Sequence, residues 1–544
     1  MTATRERTLG YCLQVLLAAG CVLLPVLLQG LFNFIDCGVM YYVLWTAWLT
    51  AIWLRFRLPA WWWLPALFVS FIYSGYVLSQ HNDVGYNEVS AILDTNIGEA
   101  LELMRAPSMF IALCAVVAGY AVLCWVLCRD FRWGKLATPS RLDNRMLYVV
   151  MAVCVVAYVM AGSGWNKQQM YPANVICEGY RFIREVQYAK YKYARLNYTY
   201  AGPDAGHRPP KLTAVIVVGE SARAASWSLY GYGRPTNPQV ADCFNKSNGR
   251  GVLFTDALSA GRLTMNAVPS LLSPTTANDF QNYCSKPSLI GVFRAAGCRT
   301  SVISSHMRAS EFWDGSVNLM LGAAASIVKL AQDAQLPAAL DEWSGNDARP
   351  QRLAVMHMFG SHYDYGDRYP ASFNLFHGGD VMVDTYDNSI AFTDHVLAGI
   401  IRGIDDMPAP AVMFYTSDHG ENLNDFGDGN IQHSCREFTR YEIEVPMFFY
   451  ANQAFVAAYP QEMAAIKSCA SLPVSHDNIA QTMLGLAGLT DPQVYLPKYD
   501  MSNKNFAPQP RFLIQNLREN ISEAAIRNTP HGRRVPFGAL HVSR

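Results

Sequence analysis

Three side chains of the types that bind divalent metals occur at abrupt ends of apolar runs. Glu220 follows "TAVIVVG", residues 213–219, and Asp418 and His419 follow "AVMFYTS", residues 411–417. Carboxylate oxygens and imidazole nitrogens are the ligands a Zn²⁺-like ion takes, and strand tips can bring distant segments together around one ion. Singly, each group has an ordinary explanation: Glu220 as a first-turn carboxylate facing the positive end of a helix that opens near Ser221, and the Asp-His pair as a solvated loop. The function-bearing reading rests on the three occurring together at equivalent strand ends.

The elements that must position them are strands of an α/β sheet. From residue 212 onward, short apolar strands alternate with helical segments, which implies a central sheet covered by helices. The strands are expected at Leu212 to Gly219, Thr300 to Ser304, Leu353 to Phe359, Ala411 to Thr416 and Val445 to Tyr450. In such sheets, sites form just beyond the carboxyl ends of the strands, where Glu220, Asp418 and His419 lie.

The first part of the chain has a different character. Its long apolar runs, 11–32, 35–54, 59–79, 109–128 and 147–162, predict five transmembrane spans within a domain of residues 1–165. Arg5 and Arg7, Arg55 and Arg57, and the group from Arg129 to Arg145 mark the cytoplasmic side. The loop from Gln80 to Pro107 carries Arg105 as its sole Lys or Arg among several acidic residues and faces outward. An odd number of spans then places the remainder of the chain outside as well. A retained anchor, rather than a cleaved leader, is expected because the first run is long and more follow.

Residues 166–211 join the parts. "NKQQMYPANVICEGYRFIREVQYAKYKYARLNYTY" is aromatic and basic, which suits an interfacial helix at the headgroup level or a tyrosine-rich linker helix, and "AGPDAGHRPPK" is a linker. Residues 212–544 form the expected catalytic domain. Its six cysteines, Cys177, Cys243, Cys284, Cys298, Cys435 and Cys469 (counting the one just before it), would allow up to three disulfides in an oxidising compartment. With 51% apolar residues and no net formal charge, the chain suits neither a disordered polymer nor a nucleic-acid binder.

The stretch "VIVVGESARAASWSLYGYGRPTNP", residues 215–238, resembles the opening signature of the phosphoethanolamine transferases of Gram-negative inner membranes, within the alkaline phosphatase and sulfatase superfamily. The resemblance implies a five-helix transmembrane domain followed by a sulfatase-like (alkaline phosphatase-like) periplasmic α/β domain with a mostly parallel sheet. It also implies a threonine nucleophile in a T-x-x-x-[VL]-P pattern, which "GRLTMNAVPSLLSP" supplies as Thr264 with Val268 and Pro269. A helix-capping role suits the same position. By the same resemblance, Glu220, Thr264, Asp418 and His419 hold a catalytic Zn²⁺, and a metal-bound hydroxyl is a better nucleophile than a free one.

The resemblance further implies phosphate-contacting roles for His362 and His433, sometimes with a second metal, and offers Glu421 as an extra ligand. In "ILDTNIGEALE", residues 92–102, Thr95 and Glu99 match a segment lining the lipid headgroup site, with Ala91 where the family has asparagine. The implied donor is phosphatidylethanolamine, and the implied acceptor is lipopolysaccharide, lipid A or a periplasmic glucan. Members that modify lipid A usually flank the nucleophile with cysteines, whereas this chain has Arg262, Leu263 and Ser270, which argues against lipid A in particular. A sulfatase hydrolase would carry C-x-P-x-R or S-x-P-x-R, which is absent. A phosphoglycerol transferase would share the five spans and the threonine, but the segment from Gly219 to Tyr232 argues against it. A non-catalytic membrane scaffold would not need Glu220, Thr264, Asp418 and His419 at matching strand ends.

Overall fold

The computed structural model describes residues 173–203, 212–306, 315–345, 351–427, 431–433, 438–516 and 519–533, with isolated positions before them. The five expected spans, Thr95, Glu99 and Cys435 lie outside the described residues. Among the described residues, no helix is long and apolar enough to cross a membrane. The chain divides into two compact units, Met1–Phe182 and Ile183–Arg544.

Helix α1, Ala173–Ala194, covers much of the aromatic, basic stretch. Ile176, Tyr180, Ile183, Tyr188 and Tyr191 are exposed, and at about 100° per residue they fall on one stripe of the helix. Phe182 and Ala189, on the other side, are buried.

Among its described residues, the second unit holds three two-stranded sheets and is built on a mixed sheet of seven strands. In chain order these are β1 (Leu212–Gly219), β2 (Gly251–Leu253), β3 (Arg299–Ser304), β4 (Ser326–Lys329), β5 (Gln351–His357), β6 (Ala411–Ser417) and β7 (Met447–Ala451). Their spatial order is β2-β7-β6-β1-β5-β3-β4. The pairs β1 with β5, β1 with β6, β3 with β5 and β3 with β4 are parallel, while β7 runs antiparallel to both β6 and β2. The expectation of a mostly parallel sheet therefore holds for the centre and is amended at one edge. The expected strands are all present, with ends displaced by a residue or two.

Every residue of β1 is buried, as a strand covered on both faces requires. Leu212, Ala214, Ile216 and Val218 face one core with residues of helices α3 (Thr264–Leu271), α4 (Leu289–Ala295) and α7 (Asp477–Ala487). Val215 and Val217 face the other, with residues of α5 (Leu336–Ser344) and the 25-residue α6 (Val381–Asp405). The period of two in the strand thus divides its apolar side chains between two helical layers. Asp380 caps α6 by accepting from the backbone N–H groups of Met382 and Val383.

Two expectations are corrected. No helix opens near Ser221: its φ is 56°, in the left-handed region, and short 3₁₀ turns at Ala224–Ser226 and Ser228–Tyr230 follow. The first α-helix after β1 is α2, Pro238–Lys246. Cys177, Cys243, Cys284 and Cys469 are free thiols, so they form none of the disulfides that compartment and count allowed. The Cys298 thiol faces Gln351 Oε1.

Candidate metal centre

Strand register places the candidate ligands. β1 is the central strand; the chain continues from it toward β3, β4 and β5 on one side and β6 and β7 on the other, so its tip is a topological switch point. Gly219 pairs with Ser417 and Val218 with His357, so Glu220 and Asp418 emerge side by side with His357 adjoining. Ser304 pairs with His357 in turn, which sets His306 two residues beyond the same edge.

Glu220, Asp418 and His419 are fully buried. His419 Nε2 lies 3.4 Å from Glu220 Oε1 and 3.3 Å from Asp418 Oδ2. Thr264 begins α3 and points its hydroxyl into this group, 3.2 Å from Glu220 Oε2 and 3.4 Å from His419 Nε2. Leu263, not Thr264, occupies the cap position, and it makes no side-chain capping bond.

The loop after β1 holds both carboxylates. The Ser221 backbone N–H donates to Asp418 Oδ1 at 3.1 Å and its hydroxyl to Glu220 Oε1 at 2.8 Å. Tyr386, reaching from α6, donates its hydroxyl to the Ser221 carbonyl at 2.6 Å and accepts the Arg223 N–H at 3.0 Å. Asp418 Oδ1 also accepts the His419 N–H at 2.7 Å. Gly360 has φ 52°, and a Cβ there would sit 2.8 Å from the backbone N and O of Glu220. Ser361 N–H donates to that Glu220 carbonyl at 2.9 Å.

The electrostatics call for a cation. His419 Nδ1 lies 2.9 Å from the Gly420 carbonyl, which fixes the proton there and turns the Nε2 lone pair toward the two carboxylates. Burial keeps this imidazole below the usual histidine range. Burial, reinforced by the neighbouring Asp418, pushes Glu220 well up. Burial opposes ionisation of Asp418 too, but His419 and the backbone N–H groups outweigh it and hold this carboxyl low. Among the described residues, Asp418 Oδ2 is buried without a hydrogen-bond partner. Acceptors thus converge on one point with too few protons among them, and this donor set fits Zn²⁺.

His433 and Glu421 flank the group. His433 Nδ1 is 3.0 Å from Glu421 Oε2, and its ring centroid is 4.1 Å from that of His419. Burial pulls His433 down, yet Glu421 outweighs it, and the imidazole is more readily protonated than usual. Glu421 Oε1 accepts the Tyr365 hydroxyl at 3.0 Å. His362 is 2.7 Å from the Tyr363 carbonyl through Nδ1, leaving Nε2 with its lone pair; burial lowers its pKa to about 4.

Three features escaped sequence reasoning. His306 and His357 stand at strand ends and were recoverable by applying the strand-tip rule to "TSVISSH" and "LAVMH". The clamp at Ser221 depends on a left-handed backbone and carried no signal. Arg223, next in that conspicuous stretch, binds Asp425 through Nη1 at 2.7 Å and lies over the rings of Tyr386 and Tyr441. It braces the loop from behind.

A family model described as Sulfatase matches residues 213–489, just over half of the chain. The chain belongs to the sulfatase family. Its sheet, switch point and buried ligand cluster lie within the matched stretch. Among curated proteins, the phosphoethanolamine transferase EptC of Escherichia coli is 23% identical over 340 residues, covering 58% of this chain and 57% of EptC. The chain therefore matches little more than half the length of that relative.

Among solved structures, the integral membrane protein lipooligosaccharide phosphoethanolamine transferase A from Neisseria meningitidis aligns with a TM-score of 0.69 at 19% identity, over 90% of this chain and 97% of that one. The periplasmic domain of E. coli EptC in complex with Zn aligns with a TM-score of 0.56 at 22% identity, over 62% of this chain and 100% of that one. At these identities the likeness shows a shared fold. That fold is the alkaline phosphatase-like domain with its central mixed sheet.

Proposed function

We propose that this chain is an inner-membrane phosphoethanolamine transferase that uses Thr264 as its nucleophile. The observation that carries the reading is the Thr264 hydroxyl at the start of α3, within 3.2 Å of Glu220 and 3.4 Å of His419. A scaffold has no use for a hydroxyl set among converging acceptors. The names of the relatives, phosphoethanolamine transferases of E. coli and N. meningitidis, support the group transferred.

Glu220, Thr264, Asp418 and His419 would hold one Zn²⁺, which would supply positive charge to acidify the hydroxyl and to offset charge on phosphoryl oxygens. The residues of the chain do the rest. Thr264 Oγ1 gives up its proton and attacks the phosphorus of phosphatidylethanolamine; the new P–O bond forms as the bond to diacylglycerol breaks, and the leaving oxygen takes up a proton in place of the one Thr264 lost. His433, the more basic imidazole, contacts the phosphoryl oxygens while Glu421 orients it. The acceptor oxygen then attacks phosphorus, its proton passes to a base, and Thr264 recovers its hydroxyl. His362, neutral with the Nε2 lone pair available, suits that exchange at the phosphate.

The domain plan completes the reading: spans within residues 1–165, a connecting stretch over 166–211, and a periplasmic domain over 212–544. The exposed stripe of Ile176, Tyr180, Ile183, Tyr188 and Tyr191, beside basic Arg181, Arg184 and Lys190, suits α1 to a membrane surface. Thr95 and Glu99 are the proposed contacts to the ethanolammonium headgroup. The acceptor is an exported glycolipid or glucan; the lipooligosaccharide named for the Neisseria enzyme supports the glycolipid.

Peptide mapping of the full chain after exposure to phosphatidylethanolamine tests the reading. A phosphoethanolamine adduct is expected on Thr264, with diacylglycerol released in equal amount and both lost in Thr264→Ala. An adduct elsewhere, or turnover by Thr264→Ala, overturns it.

A further inference from the structure

Beside Glu220 stand two further imidazoles, His306 and His357, that the proposed reaction leaves unused. His306 Nδ1 lies 3.3 Å from His357 Nε2 and 3.8 Å from Glu220 Oε2, and the ligand atoms of the three residues all fall within 4.8 Å of one another. A tetrahedral ion with Zn–N bonds near 2.0–2.1 Å holds two imidazole nitrogens about 3.3 Å apart. Three elements contribute one ligand each: β5 ends in His357, the turn after β3 supplies His306, and Glu220 follows β1.

The set is held firmly. Ser304 and Ser305 both donate their hydroxyls to the His357 carbonyl, at 3.2 and 3.3 Å, and Ser304 Oγ accepts the His306 N–H at 3.1 Å. The His306 ring meets the His357 ring edge-on at 4.7 Å between centroids and has the Phe359 ring at 5.0 Å. The turn after β3 is thereby fastened to the end of β5, and the two ligating nitrogens face each other without a backbone group between them.

We propose that His306, His357 and Glu220 form a second divalent-cation site, of Zn²⁺ type, alongside the site of Asp418, His419 and Thr264. Two imidazoles and one carboxylate favour Zn²⁺ over Mg²⁺ or Ca²⁺, which take mainly oxygen ligands. The inference rests on the metal reading of Glu220, whose two oxygens would serve one ion each. Three protein ligands leave one position open, as catalytic zinc sites do, and an oxygen of the transferred phosphoryl group is the ligand chemistry it would take. The rival is a plain N–H···N hydrogen bond between His306 and His357 with no ion.

Metal content distinguishes these. Full-length protein, equilibrated with Zn²⁺ in detergent and freed of loosely held ions, is analysed by plasma mass spectrometry. Two ions per chain are expected, falling to one in His306→Ala and to one in Asp418→Asn, with none in Glu220→Ala. Crystals measured at the zinc edge should give an anomalous peak between His306 Nδ1 and His357 Nε2, a result that does not depend on any variant folding. One ion per chain, unchanged by His306→Ala and with no peak at that position, overturns the second site while leaving the proposed transferase intact. No bound ion at all would overturn both.

Discussion

Replacing Asp418 with asparagine should destabilise the metal-free protein and abolish its response to zinc. Asp418 Oδ1 accepts two backbone N–H groups, which an asparagine oxygen keeps, while Oδ2 lies buried without a hydrogen bond, 3.3 Å from His419 Nε2. A neutral amide oxygen bonds those N–H groups less strongly than a carboxylate does. The ligand atoms of Glu220, Asp418 and His419 lie within 4.8 Å of one another. Two carboxylate charges at such a separation repel by about 3–4 kcal/mol at an effective dielectric of about 20. Proton uptake by Glu220 removes this repulsion, and His419 and the backbone N–H groups that hold Asp418 low favour its charged form, so Asp418→Asn should lose about 1–3 kcal/mol in the presence of chelator. With free zinc at about a hundred times its dissociation constant, the wild type should gain about 2.7 kcal/mol and the variant little. Tryptophan-monitored unfolding of the full chain in detergent, with chelator and then with zinc, reads both terms. A variant more stable than wild type in chelator, or equally stabilised by zinc, would refute this account of the site.

Gly360→Ala should move Glu220, because the backbone there has φ 52° and the new Cβ would meet the Glu220 backbone at 2.8 Å; metal content at limiting zinc should fall at least about tenfold, with a stability loss of about 1–3 kcal/mol. Arg223→Lys should cost about 1–3 kcal/mol in denaturant melts while zinc content at saturation stays unchanged, since lysine cannot keep both the Asp425 contact and the stacking on two tyrosines. Asp477 is raised to about 7 by burial, an effect only partly offset by the Ala277 N–H it accepts. Its folded-state pKa lies above the unfolded value, so its contribution to stability is complete at acid pH and lost as pH rises through about 7. The melting temperature of Asp477→Asn should therefore rise relative to wild type between pH 5 and pH 8, as measured by thermal melts across that range, and a constant difference would contradict the assignment.

Residue type and pattern made much of the second unit legible. A run such as Leu212 to Gly219, apolar at nearly every position, reads as a strand buried on both faces, and Glu220 at its end is conspicuous because nothing in the run is charged. The motif singled out Thr264, and the structure has it at the first position of α3. What misled was local: "GESAR" has the composition of a helix start, but the Ser221 backbone adopts a left-handed turn because its N–H and hydroxyl are both engaged by carboxylates, one of them from nearly two hundred residues away.

The sequence by itself determined which groups are present and that strands would carry them to one edge of a sheet, because alternation and burial follow from nearest neighbours along the chain. Only the tertiary structure decided which strand tips adjoin. The order β6-β1-β5-β3 sets Asp418, Glu220, His357 and His306 in a row, and that order depends on pairing between segments far apart in the chain, which no local period encodes. Ligand geometry is a property of that register: a shift by one residue would turn each side chain to the opposite face and disperse the centre.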